Sequence, residues 1–127
     1  MTATAERHFH DDMVAGAERL AREIGYNPAR FMQMVGELGG VGAACHLLRR
    51  RDTSDGFTTL WGHGRLGVSV ETFALLPWYQ ELLGEEQPAT AERRLREHRF
   101  DVDRFLKRAE RAWPAWAGGG RAGVDPG

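Results

Sequence analysis

Cysteine, lysine and long apolar runs are almost missing from this chain of 127 residues, and the first and last of these scarcities exclude something. Cys45 is the only cysteine, so no disulfide forms within the chain and a thiolate metal cage is ruled out. Within the run Gly42-Ala43-Ala44-Cys45-His46-Leu47-Leu48 it reads as a small buried hydrophobe. No apolar stretch approaches the ~18 residues of a membrane span, and Met1-Thr2-Ala3-Thr4-Ala5-Glu6-Arg7 lacks the apolar core of a signal peptide. The expected location is therefore cytoplasmic. Excess charge is missing as well. A formal net charge of -1 singles out neither nucleic acid nor an anionic membrane as partner of the whole chain.

What is present is helical periodicity in an ordinary globular composition, 42% hydrophobic and 28% charged. Met13, Val14, Ala17, Leu20, Ala21 and Ile24 recur at helical spacing, which predicts an amphipathic helix over residues 10–24, left through Gly25. Asn27-Pro28 reads as N-cap and first-turn proline of a second helix carrying Phe31, Met32, Met34, Val35 and Leu38. Gly39-Gly40 ends it, and a third helix runs over 41–50 with Arg49-Arg50-Arg51 at its end, where cations suit exposed carbonyls. Ser54-Asp55-Gly56 opens a short helix burying Phe57, Leu60 and Trp61, and Ser69 caps the segment Val70 to Leu76 before Pro77 breaks it. A charged helix over 88–98 follows, with Leu95 as its main apolar contact. The last helix, from Asp101 or Asp103 to Trp113, has a stripe of Val102, Phe105, Leu106, Ala109 and Ala112. Only Leu66 to Val70 alternates like a strand, and one strand without a partner is not a sheet. The expectation is an all-α fold, a compact bundle of about six or seven short helices. Its single domain spans 8–113, and a glycine-rich, disordered tail covers 118–127.

The stretches Phe9-His10-Asp11-Asp12-Met13 and Gly25-Tyr26-Asn27-Pro28-Ala29-Arg30-Phe31-Met32-Gln33-Met34-Val35 carry a likeness. So do Gly39-Gly40 with Ala44 and Leu47-Leu48, Ser54-Asp55-Gly56-Phe57-Thr58-Thr59-Leu60-Trp61, and Arg65-Leu66 followed by Val70-Glu71. In this order and spacing, from about Phe9 to Phe100, the chain resembles a family of small uncharacterised bacterial proteins. The resemblance implies a compact helical body to about residue 100 and no catalytic activity. The basic helix 101–113 lies outside it. One departure stands out: the family pattern has an acidic residue where this chain has Gly67.

Candidate chemistries are few. His8, His10, Asp11 and Asp12 offer imidazole and carboxylate ligands suited to zinc or manganese. Residues two apart on a helix diverge by roughly 200°, so the two histidines share an ion only if this end is extended. Gly36 to Gly42 has the glycines of a phosphate loop, but a helix precedes them and no lysine follows. Cys45 and His46 are neighbours and point about 100° apart, which is no dyad. Helices 28–38 and 41–50 have the length of a helix-turn-helix, yet Val41, Gly42, Ala43, Ala44 and Cys45 have almost nothing with which to read bases.

Surface features remain. From Ala89 to Arg121 there are nine basic residues against five acidic ones. Arg93, Arg94, Arg104, Lys107, Arg108 and Arg111 are the candidate contacts to a nucleic-acid backbone. Arg65, Glu71, Trp78, Tyr79 and Trp116 are the candidate protein-interaction surface, Trp116 as an anchor beyond the helix end. No cofactor is expected. The leading expectation is a non-enzymatic adaptor or accessory module binding another protein or a second copy. The alternatives are a non-specific nucleic-acid-binding accessory protein and a metal-dependent enzyme or subunit using the His/Asp cluster.

Overall fold

Ala5, Phe9, Met13, Ala17 and Leu20 fall on one face at spacings of four and three, and all five are buried. They belong to the first element, which begins earlier than its predicted range. The computed structural model describes residues 2–118, and in it α1 spans Thr2–Ile24. The charged face with Glu6, Arg7, Asp11, Glu18, Arg19, Arg22 and Glu23 is exposed.

The next segment, α2 (Ala29–Arg49), contains the two helices expected on either side of the glycine pair, joined without a loop. Gly39 carries the break at φ 78° and ψ 167°, a backbone state costly for a side-chain-bearing residue. Its neighbour Gly40 serves a different need. A Cβ built there would lie 2.6 Å from the Cα of His10, so the glycine lets α2 cross α1 backbone to backbone. At the start of α2 the capping is displaced by one residue: Pro28 occupies the N-cap position, and Asn27 Oδ1 accepts from the Ala29 N–H at 3.1 Å.

Two predicted caps stand where expected. Ser54 accepts from the Phe57 N–H at 3.0 Å and starts α3 (Asp55–Gly62). Ser69 and Thr72 form a reciprocal capping box at the head of α4 (Val70–Leu75), and Ser69 Oγ also donates to the Leu66 carbonyl at 2.7 Å. The Leu66–Val68 stretch before it is a single 3-10 turn. Pro77 opens a second such turn, Pro77–Tyr79, which runs into α5 (Gln80–Leu83). Then come α6 (Glu86–Glu97) and α7 (Val102–Glu110), the latter capped by Asp101 accepting from the Arg104 N–H at 3.0 Å. A turn at Ala115–Ala117 is the last described element.

The described residues thus hold seven α-helices and no strand. The predicted tail, apart from Gly118, lies outside them. The largest interfaces are α1 on α2 and α4 on α6, and buried side chains from Ala5 to Val102 form one core cluster. Phe9 and Tyr79 meet edge to face there at 5.0 Å. α7 rests on α6 and on the 77–79 turn, at the margin of this core. Expectations of burial fail at several places, and Leu38 is 50% exposed. Trp61 is 52% exposed, its ring set against His98, and Cys45 is only half-buried. No helix among the described residues is long and apolar enough to cross a membrane.

Candidate functional site

The His/Asp cluster sits on α1, and the helix disperses it. His8 stacks flat on Trp116, with centroids 4.3 Å apart and planes within 3°. His10 turns toward α2, where its Nδ1 accepts the Gly40 N–H at 3.1 Å; the ring proton therefore sits on Nε2. Asp12 accepts the hydroxyl of Tyr79, while Asp11 is exposed. Among the described residues no three His, Cys, Asp or Glu side chains gather to hold a metal ion. The metal reading of His8, His10, Asp11 and Asp12 is thereby corrected: a continuous helix points its ligands to different neighbours.

Glu71 and Arg94 move from the surface to the interior. Each is under 5% exposed, and they face each other across α4 and α6 with Nη1 3.1 Å from Oε2. The same guanidinium donates to the carbonyls of Leu47, at 3.2 Å, Arg50 and Asp52, at 3.4 Å. Arg94 thus closes the C-terminal end of α2, where unpaired carbonyls concentrate negative potential. Burial pushes the Glu71 carboxyl above the ordinary range, against the opposing pull of its backbone hydrogen bond and of Arg94. Neither residue is available to a partner. One extended, planar side chain with five donors can satisfy a helix end and a carboxylate together, which is why an arginine stands here.

The rest of the predicted interaction surface is divided. Tyr79 is fully buried; burial first, then the hydrogen bond to Asp12, raises its pKa. Trp116 folds back onto the domain, between His8 and Tyr79, its centroid 5.7 Å from the tyrosine ring. It is no free anchor. Arg65 is half-buried and hydrogen-bonded to Glu23 at the end of α1, which lowers the Glu23 pKa. Trp78 is half-buried. Its ring meets Trp113 at 5.4 Å and forms one wall of a groove.

That groove, about 710 Å³, runs between α7 and the segment leading into the 77–79 turn. Its floor and walls are Leu76, Trp78, Phe100, Phe105, Ala109 and Ala112, and its rim carries Arg104, Arg108 and one carboxylate, Asp101. The two arginines are one helical turn apart and exposed, and among the described residues neither has an ion pair. Lys107 is exposed on the same helix and Arg111 just beyond its end, whereas Arg93 lies on α6, paired with Glu97 at 3.5 Å. The six candidate nucleic-acid contacts therefore form no single face: one is internal, one is on α6, and two border an apolar groove. Gly67 also lines this groove.

Sequence reasoning missed the groove because it joins residues 76–78 to residues 100–112, and nothing local announces that pairing. The amphipathic stripe of α7 did contain a signal, since Phe105 lies on it and remains only partly covered. A smaller cavity, about 60 Å³, lies inside the body. Tyr26, Phe31, Ser54, Gly56, Phe57 and Glu71, all from the stretches that carry the family likeness, line it. Burial raises the Tyr26 pKa there. These motif residues converge on packing and caps, with no nucleophile–base pair among them. No protein-family model, curated protein or solved structure matches the chain.

Proposed function

We propose that the chain is a cytoplasmic, non-enzymatic protein-interaction module that seats an acidic amphipathic helix of a partner protein in the groove along α7. The observation that carries this reading is the pairing of an apolar trough with two unpaired arginines on its rim. An apolar trough rewards a helix presenting a hydrophobic stripe, and the arginines select acidic flanks through charge-assisted hydrogen bonds. Gly67 contributes by omission. The resembled family's pattern has an acidic residue at this position; with glycine here, Asp101 is the one carboxylate lining the groove against two arginines. The marginal packing of α7 suits a surface that receives a partner, since few core contacts would need to rearrange.

The test uses a designed helical peptide with leucines at i, i+3, i+4 and i+7 and glutamates beside them. Titration into the full chain is followed by tryptophan fluorescence, because Trp78 lines the groove. Saturable binding is expected, lost in the Arg104→Glu/Arg108→Glu variant. A peptide with lysines in place of the glutamates should not bind. Equal binding of both peptides, or binding indifferent to the rim variant, refutes the reading.

A further inference from the structure

Arg49-Arg50-Arg51 suggested cations set against the exposed carbonyls of a helix end. The structure assigns part of that duty elsewhere, since the carbonyls of Leu47 and Arg50 are held by Arg94. The three arginines are exposed, and among the described residues none has an ion pair. Together with Arg93 from α6 they line a depression of about 390 Å³ that also contains Gln87 and Thr90. Glu86 is the only carboxylate on its wall and Arg93 is already paired with Glu97, so three arginines without an ion pair face one carboxylate. Like charges gathered this closely raise the local positive potential and favour an anion among the guanidiniums.

We propose that this depression binds a compact oligophosphate, two or more linked phosphate groups, as in inorganic tripolyphosphate or the phosphate chain of a nucleotide. The guanidinium fork matches phosphate oxygens two at a time, and several forks around one hollow suit several linked phosphates better than one. Aromatic side chains are absent from its lining, so a base finds no ring to stack on; the phosphate chain is the part recognised. The backbone beneath is held in advance. Arg94, 2% exposed, clamps the carbonyls of Leu47, Arg50 and Asp52, the stretch that carries all three arginines. A segment pinned before the ligand arrives loses less entropy on binding. Polar neighbours Gln87 and Thr90 add uncharged donors on the α6 side.

The experiment is isothermal titration of the full chain with tripolyphosphate at low salt, with far-UV circular dichroism to verify each variant's fold. One saturable site is expected, weakening as salt rises. Arg49→Gln/Arg51→Gln removes two charge-assisted contacts and should weaken binding by about tenfold or more. Arg104→Gln/Arg108→Gln removes the same charge from the α7 groove and should leave the affinity unchanged. Absence of saturable binding, or an equal loss in the α7 variant, overturns the site. Orthophosphate binding as tightly as tripolyphosphate overturns the oligophosphate assignment. A single-stranded oligothymidine that binds more tightly than tripolyphosphate reassigns the depression to a nucleic-acid backbone.

Discussion

Removing the Arg94 side chain should cost far more than neutralising its partner Glu71, although the two form one ion pair. In Arg94→Ala the buried carboxylate loses its counter-charge and the Leu47 carbonyl its donor, while the part-buried carbonyls of Arg50 and Asp52 are left to water. Breaking a buried pair from one side costs about 3–5 kcal/mol. That is a large part of the roughly 5–15 kcal/mol that holds a domain of ordinary stability together. In Glu71→Gln, the amide oxygen still accepts from Nη1, and the guanidinium retains its three carbonyls at the negative end of α2. Burial already holds the Glu71 carboxyl above its ordinary value of 4.5, so removing its charge also relieves a desolvation cost. The expected loss there is about 1 kcal/mol or less.

Urea unfolding followed by circular dichroism measures both variants. An Arg94→Ala chain with no cooperative transition meets the expectation. A loss below about 1 kcal/mol for Arg94→Ala, or a Glu71→Gln loss as large as that of Arg94→Ala, refutes the clamp. The pH dependence gives a second readout with a definite sign. A carboxyl raised in the folded state binds its proton more tightly there than in the unfolded chain. The stability of the native chain relative to Glu71→Gln should therefore rise as pH falls from the raised folded value toward 4.5, and level off below it. Taking the difference cancels the opposite trend of Glu23 and Asp103, whose carboxyls arginine partners hold low.

Two further perturbations probe the backbone. Gly40→Ala places a methyl 2.6 Å from the His10 Cα, a main-chain atom that cannot rotate away. It should cost about 1–3 kcal/mol in urea unfolding, and an unchanged midpoint would refute the close crossing of α1 and α2. Arg99 stands at φ 63° just after α6, a left-handed state costing roughly 1–2 kcal/mol for a residue with a Cβ. Arg99→Gly should raise the thermal midpoint, the gain offset in part by the greater freedom of glycine in the unfolded chain; a lowered midpoint would refute it.

The local signals in this chain were strong where chemistry is local. Ser54, Ser69 and Asp101 each reveal a helix start because a side-chain oxygen can reach an N–H two or three residues ahead. The apolar stripe of α7 and the break at Gly39 were readable for the same reason. The predicted start of α1 falls eight residues late, although Phe9 lies four residues before Met13 in phase with the stripe; the charged, histidine-rich segment around Phe9 masks that periodicity. Trp61 shows the opposite failure. A large apolar residue at helical spacing was expected inside, yet a helix of eight residues buries only Phe57 and Leu60 and leaves the tryptophan outside.

Sequence alone determined that the chain is helical, where the capped helices begin, and that its lone cysteine supports neither a disulfide within the chain nor a thiolate cage. Periodicity, capping and composition act over one or two turns and need no knowledge of the rest of the molecule. Tertiary structure decided what every charge is for. Arg94 and Arg93 are adjacent in sequence and equally basic, yet one is sealed against Glu71 and a helix end while the other stands at the edge of an arginine-lined hollow. The difference lies in which face of α6 meets α4 and α2. That depends on long-range packing and desolvation, which only the assembled core sets.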